Sequence, residues 1–105
     1  MSIKKLASKS ELDNAINNGV TLVDFNASWC APCRAQGPII QRLADEFVGK
    51  AVIAETDVDE NRESATAYKI QSIPTLVLFK DGSEVERFVG LQSQETLSNM
   101  IEKVV

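Results

Sequence analysis

The chain has 105 residues, 44% of them hydrophobic and 25% charged, with a formal net charge of -4. These values are typical of one globular domain over residues 1–105 and exclude a disordered or collagen-like chain. The acidic balance argues against a nucleic-acid partner, because binding a polyanion depends on clustered Lys and Arg. We expect a cytoplasmic location without membrane contact, since no apolar signal stretch or bilayer-length run is present.

A short amphipathic helix and a buried strand are predicted in the first quarter of the chain. Residues 10–13 form a capping pattern for a helix that ends at Gly19. Residues 21–25 are rich in β formers on both pleat faces, which is typical of a central strand covered by helices. Asp24 is the one charged residue of that strand. The helix residues expected to face inward are Leu12, Ala15 and Ile16.

A longer helix is predicted after Cys30 and Cys33. Its apolar residues recur at helical spacing, and Gly49 is placed to end it. Pro38 lies inside the pattern and is expected to kink the helix, because proline lacks a backbone donor and crowds the preceding turn. The apolar positions are Ile39, Ile40, Leu43, Ala44 and Phe47.

The second half of the chain alternates strands and helices and finishes with a hairpin and a helix. Asp81-Gly82 is a hairpin turn signal, Gly90 ends the strand that precedes it, and Ser93 caps the last helix. This alternation predicts an α/β fold with a central mixed, mainly parallel sheet and helices on both faces. The expected elements are strands at 51–57, 75–79 and 84–89, a helix at 61–68, and a final helix with Leu97, Met100, Ile101 and Val104 in one stripe.

Cys30 and Cys33 are the only cysteines, and the chain has no histidine. A C-x-x-C after a strand and at the start of a helix is typical of a redox motif. The helix N-terminus favours a thiolate, most strongly at Cys30. Residues three apart in a first helical turn also come close enough for a disulfide that can open and close.

Two other interpretations of the cysteine pair have less support. A structural disulfide across so short a loop removes little entropy from the unfolded chain. A metal site within one chain normally needs four Cys or His ligands, and this chain offers two. A metal or cluster shared by two chains, each giving its two cysteines, stays open.

Several motifs occur together around the cysteine pair. They are Trp29-Cys30-Ala31-Pro32-Cys33, Val23-Asp24-Phe25, Ile73-Pro74-Thr75, Pro38, the stretches 57–61 and 79–82, and Val89-Gly90. Together they resemble the thioredoxin family over nearly the whole chain. The resemblance implies the thioredoxin fold, with a five-stranded sheet flanked by four helices, and a protein-disulfide reductase.

The resemblance also implies a mechanism and its partners. Cys30 attacks a disulfide of a substrate protein, and Cys33 resolves the mixed disulfide, which leaves Cys30 and Cys33 oxidised. Thioredoxin reductase, drawing on NADPH, then restores the dithiol. No cofactor or metal is expected on the chain itself beyond its redox-active disulfide, and a monomer is expected.

Asp24 is implied to be the buried acid that accepts a proton from Cys33, through water, when Cys33 must become a nucleophile. Burial should raise the pKa of this carboxyl toward the working range. The alternative is a polar residue at a strand end whose hydrogen bonds are satisfied.

The remaining implied site residues form a surface for substrate. The Ile73-Pro74 bond is expected to be cis and to expose the Ile73 backbone for strand-like pairing with substrate. Pro74 could also simply end a loop, and Trp29 could be an aromatic residue at the edge of the core. The expected substrate-facing residues are Trp29, Ala31, Pro32, Ile73, Pro74 and Gly90.

Three positions differ from the commonest pattern of the family. Ala31 stands where glycine is usual, at a dipeptide where the family varies its redox potential. Asn26 occupies a position often taken by an aromatic residue. Glu55 replaces a usual lysine and is expected near Asp24 as a second carboxylate, the alternative being that it turns into water. Glu55 and Pro38 are therefore candidate modulators of the site.

Two rival functions follow from the same residues. An oxidase or isomerase of the same fold is the nearer rival, and the expected compartment argues against it. The other is a binding module that uses the thioredoxin surface without redox chemistry. The intact cysteine pair, with Asp24 and Pro74, argues against that module.

Overall fold

The structure is a computed structural model and describes residues 3–105. Over that range the chain forms five strands and four helices that alternate before a final hairpin and helix. In chain order they are β1 (Lys4–Lys5), α1 (Lys9–Ile16), β2 (Val20–Asn26), α2 (Ala31–Glu46), β3 (Val52–Asp57), α3 (Arg62–Ala67), β4 (Thr75–Lys80), β5 (Ser83–Val89) and α4 (Gln94–Glu102).

The strands form one sheet in the order β1-β3-β2-β4-β5. β3 is parallel to both β1 and β2, whereas β4 is antiparallel to β2 and to β5. Four strands therefore run in one direction and β4 opposes them, which confirms the predicted mixed, mainly parallel sheet. β2 lies at the centre, with β3 on one side and β4 on the other.

Apolar side chains fill both faces of the sheet, as the period of β2 requires. Leu22 belongs to a cluster with residues of α2 and α4, whereas Val23 and Phe25 belong to a second cluster with residues of α1. The predicted helices on both faces are confirmed. Asp24 shares a face with Leu22 because strand side chains alternate, so it faces α2.

The start of α1 differs from the prediction. Its N-cap is Ser8, whose Oγ accepts a hydrogen bond from the Glu11 N–H at 3.1 Å, and Ser10 lies within the helix. Both serines are followed three residues later by an acid, but glutamate has the longer reach that a capping box uses. The helix also ends at Ile16 and not at Gly19. Gly19, at φ +74°, instead donates its N–H to Asp81 Oδ1 at 2.8 Å.

Other predicted signals match the structure closely. Asp81 and Gly82 have φ values of 50° and 89°, as a two-residue hairpin turn of type I′ requires. Ser93 caps α4, and Leu97 and Ile101 are buried. β1 was not predicted by the pattern of the chain, because it consists of two exposed lysines. Pro38 lies inside α2, and the kink there stays a prediction.

Candidate active site

The cysteine pair forms a disulfide at the N-terminus of α2. The two Cα atoms are 5.2 Å apart, and Cys30 is the N-cap residue of the helix. Its Sγ accepts a hydrogen bond from the Cys33 N–H at 3.3 Å. The residues are 5% and 6% exposed, so overall accessibility does not distinguish them. Their surroundings distinguish the two cysteines.

Cys30 lies against the loop that precedes β4. Its Sγ is 3.8 Å from the Ile73 carbonyl oxygen, and Ile73 packs against the cluster of Ala27, Cys30 and Cys33. The Ile73-Pro74 bond is cis, as expected. The Pro74 carbonyl accepts a hydrogen bond from the Gly90 N–H at 2.7 Å, and Gly90 has φ +94°, a conformation that favours glycine. The fold thus brings residues 73, 74 and 90 together beside the disulfide.

Trp29 is 67% exposed, which excludes a place in the core. Its Nε1–H donates to Asp59 Oδ2 at 2.7 Å, and this contact fixes one edge of the indole. Ala31 and Pro32 are exposed as well. Trp29, Ala31 and Pro32 together form an exposed surface beside Cys30.

Asp24 is 2% exposed, and its Oδ2 accepts a hydrogen bond from Asn26 Nδ2 at 3.4 Å. Its Oδ1 is buried and has no hydrogen-bond partner among residues 3–105. Burial raises the pKa of this carboxyl to about 7; the Asn26 hydrogen bond opposes the rise and the charge of Glu55 adds to it. Asp24 can therefore gain or lose a proton near neutral pH.

Glu55 lies beside Asp24 because the two residues are partners in the register of β2 and β3. It is half-buried, and its Oε1 accepts a hydrogen bond from Asn26 Nδ2 at 3.1 Å. The Asn26 amide thus joins both carboxylates, and Glu55 does not simply turn into water. The role of Asn26 was missed in the sequence, although its place two residues after Asp24 on a strand puts both on one face.

A cleft of about 480 Å³ connects Asp24 with Cys33. Asn26 and Glu55 also line it, while Cys30 does not. A cleft of this size with polar walls has ample room for water. Cys33 therefore lines the same cleft as the buried acid, whereas Cys30 Sγ contacts the Ile73 carbonyl. The other charged side chains that line the cleft are Lys5, Arg34, Asp57 and Glu60.

Residues 3–105 contain neither a cluster of metal ligands nor a membrane-spanning helix. No group of three or more His, Cys, Asp or Glu residues is placed to hold a metal ion. No helix in the same range is long and apolar enough to cross a membrane.

A cysteine pair that closes within one helical turn and borders both an exposed surface and a buried acid is suited to thiol-disulfide exchange. The protein is a thiol-disulfide oxidoreductase, with Cys30 and Cys33 as its redox-active pair.

Comparison with known proteins gives the family. The thioredoxin family model matches residues 3–103. Thioredoxins from Staphylococcus epidermidis and Staphylococcus saprophyticus are 46% and 47% identical over 103 residues, with 98% of each chain covered. A mutant thioredoxin from Halobacterium salinarum superposes with a TM-score of 0.91 at 41% identity, covering 98% of this chain and 90% of that one. Thioredoxin from Fasciola hepatica gives 0.90 at 38%, covering 98% and 100%. The chain belongs to the thioredoxin family.

Proposed function

We propose that the protein reduces disulfide bonds in other proteins, with Cys30 as the attacking thiol and Cys33 as the resolving thiol. The observation that supports this assignment is that the two cysteines have different neighbours. Cys30 Sγ contacts the Ile73 carbonyl and follows the exposed Trp29, whereas Cys33 lines the cleft that contains Asp24.

Cys30 is the better nucleophile in the reduced protein. A thiolate at the N-cap receives the Cys33 N–H and the positive end of the α2 dipole. The Cys30 thiolate attacks one sulfur of a substrate disulfide, and the other substrate sulfur leaves as a thiolate. The product of this step is a mixed disulfide between Cys30 and substrate.

Asp24 then serves as the general base for Cys33. A water molecule in the cleft carries the Cys33 proton to the Asp24 carboxylate, whose pKa of about 7 suits transfer near neutral pH. The Cys33 thiolate attacks Cys30 Sγ, the Cys30–Cys33 disulfide forms, and the second substrate sulfur leaves as a thiolate. The substrate gains two electrons and the protein loses two.

The substrate docks as an extended segment along the Ile73 backbone. Trp29, Ala31 and Pro32 supply the exposed surface on one side of Cys30, and Gly90 lies beside Pro74 on the other. This mode of docking uses main-chain pairing, which tolerates many substrate sequences.

Recycling needs an external reductant, because each turnover leaves Cys30 and Cys33 oxidised and two electrons must be returned to them. We propose that a thioredoxin reductase supplied by NADPH restores the dithiol, that the protein acts as a monomer, and that it works in the cytoplasm, where thiols are kept reduced. The membership in the thioredoxin family supports this assignment.

The test is turnover and trapping with insulin as substrate and dithiothreitol as electron source. Cys30→Ser should abolish turnover, and Cys33→Ser should form a stable mixed disulfide through Cys30, which mass spectrometry of tryptic peptides identifies. Trapping on Cys33 in Cys30→Ser, with none on Cys30 in Cys33→Ser, would reverse the two roles. A wild-type protein that reduces no insulin would favour the binding module, and a redox potential well above that of cellular dithiols would favour the oxidase.

A further inference from the structure

Gln36 is a fully buried polar side chain on the apolar face of α2. It lies one turn beyond Cys33, on the side of the helix that also buries Ile40 and Leu43. A buried amide costs free energy unless its donor and acceptor are paired. The partner of Gln36 therefore indicates what this residue does.

Both polar ends of Gln36 pair with the backbone of one residue, Gln92. Gln36 Nε2 donates to the Gln92 carbonyl at 3.0 Å, and the Gln92 N–H donates to Gln36 Oε1 at 2.8 Å. This reciprocal pair resembles the pairing of two residues in adjacent antiparallel strands. Gln92 directly precedes Ser93, the N-cap of α4, so the amide of Gln36 joins α2 to the loop before α4.

The joined loop, Gly90–Gln92, is also held at its other end. The Gly90 N–H donates to the Pro74 carbonyl, and Gln92 Nε2 donates to the Gly90 carbonyl at 3.3 Å. Leu91 lies between these two anchors and is 49% exposed. Since Ile73 borders Cys30 Sγ, the loop is connected to both halves of the active site: to Cys30 through residues 73 and 74, and to the Cys33 helix through Gln36.

We propose that Gln36 is a positioning residue for protein substrates, which holds the Gly90–Gln92 loop and its exposed Leu91 in the conformation that binds them. The proposal rests on the proposed function. A loop that is already ordered loses less conformational entropy when substrate binds, so binding is tighter. A small disulfide needs no such surface, so its reaction with Cys30 is independent of Gln36.

The experiment compares Gln36→Leu and Gln36→Met, which keep the bulk of the side chain and remove its hydrogen bonds. We expect KM for insulin to rise roughly fivefold with kcat unchanged, and the rate with dithiobis-nitrobenzoate to stay at the wild-type value. Hydrogen exchange of the Gln92 amide should become at least about tenfold faster, because its acceptor is gone. Ser98→Ala is the control, since it removes another bond between α4 and α2, from Ser98 Oγ to Glu46 Oε2 at 2.7 Å. It should change none of these quantities.

Three results would overturn the proposal. One is a wild-type KM for insulin in both Gln36 variants, and another is an equal loss of activity toward insulin and the small disulfide, which would indicate a general structural role. The third is unchanged exchange at Gln92. Failure of the wild-type protein to reduce insulin would count against the proposed function instead, and the exchange measurement would still decide whether Gln36 holds the loop.

Discussion

At the scale of single residues, Asp24 has two opposite influences beside it. The amide of Asn26 stabilises its ionised form, and the charge of Glu55 opposes ionisation. By its resemblance to the family, this chain has Asn26 and Glu55 where an aromatic residue and a lysine are usual. Among residues 3–105, no Lys or Arg forms an ion pair with Asp24. The amide that joins the two carboxylates reduces their repulsion without neutralising either.

This cluster predicts the effect of Glu55→Lys on catalysis. The change replaces a charge that raises the pKa of Asp24 by one that lowers it, so Asp24 should stay ionised, and able to accept the Cys33 proton, to lower pH. The pH profile of Cys33-mediated resolution should therefore move to lower pH, by about one unit. Rapid-mixing kinetics across pH measure this step separately from the attack by Cys30.

The matched control is Glu102→Lys, the same change of charge at an exposed position near the end of α4. It should leave the pH profile in place. An unchanged profile in Glu55→Lys would contradict the coupling of Glu55 to Asp24, while the oxidoreductase assignment, which depends on the cysteine pair, would stand.

At the scale of elements, the choice between Ser8 and Ser10 shows how a helix start is decided. Ser8 Oγ accepts the Glu11 N–H, and Glu11 Oε1 in turn accepts the Ala7 N–H at 3.4 Å. Asp13, the acid that follows Ser10, instead pairs with Lys9 Nζ at 2.7 Å and accepts the Tyr68 hydroxyl at 2.9 Å. The hydrogen bond from Tyr68, which follows α3, joins residues 55 positions apart. It engages Asp13, the acid that a capping box at Ser10 would need.

Ser8→Ala should lower the free energy of unfolding by about 1 kcal/mol, because it leaves a backbone N–H of the first turn without its acceptor. Ser10→Ala is the control and should change stability by less than about 0.5 kcal/mol, since alanine is the better helix former at an exposed position. Urea denaturation of both variants measures the difference. A larger loss in Ser10→Ala than in Ser8→Ala would contradict the observed cap.

At the scale of the whole molecule, we propose that residues 1–105 form one domain, whose unfolding is a single transition by both tryptophan fluorescence and circular dichroism.

The buried carboxyl of Asp24 links the folding of this domain to pH. The pKa of Asp24 is about 7 in the folded protein, against an ordinary value of 3.8. The folded state therefore binds this proton more tightly, so the contribution of Asp24 to stability is fully present below about pH 4 and is lost as pH rises through about 7.

Asp24→Asn removes this loss, because the amide cannot ionise. We expect its free energy of unfolding to exceed that of the wild type by up to about 4 kcal/mol at pH 8, and by little below pH 4. Urea denaturation at several pH values measures both curves. A stability difference that does not depend on pH would show that ionisation of Asp24 does not destabilise the folded state.

The sequence by itself determined the features that depend on near neighbours. Three such features are the C-x-x-C at a helix start, the Asp81-Gly82 turn and the apolar stripe of α4. Each depends only on residues within one helical turn or one hairpin, so the sequence alone predicts it. The resemblance to the thioredoxin family added the roles of residues around Cys30.

Only the tertiary structure decided which distant groups meet. β1 forms because its backbone pairs with β3, and two exposed lysines do not predict that pairing. Asn26 meets Glu55 across 29 residues, and Gln36 meets Gln92 across 56. In each case the side chain fits several environments, and its partner is brought within reach by the register of the sheet or the packing of α4 beside α2. Those long-range contacts are fixed only when the apolar faces of the sheet and helices are buried together.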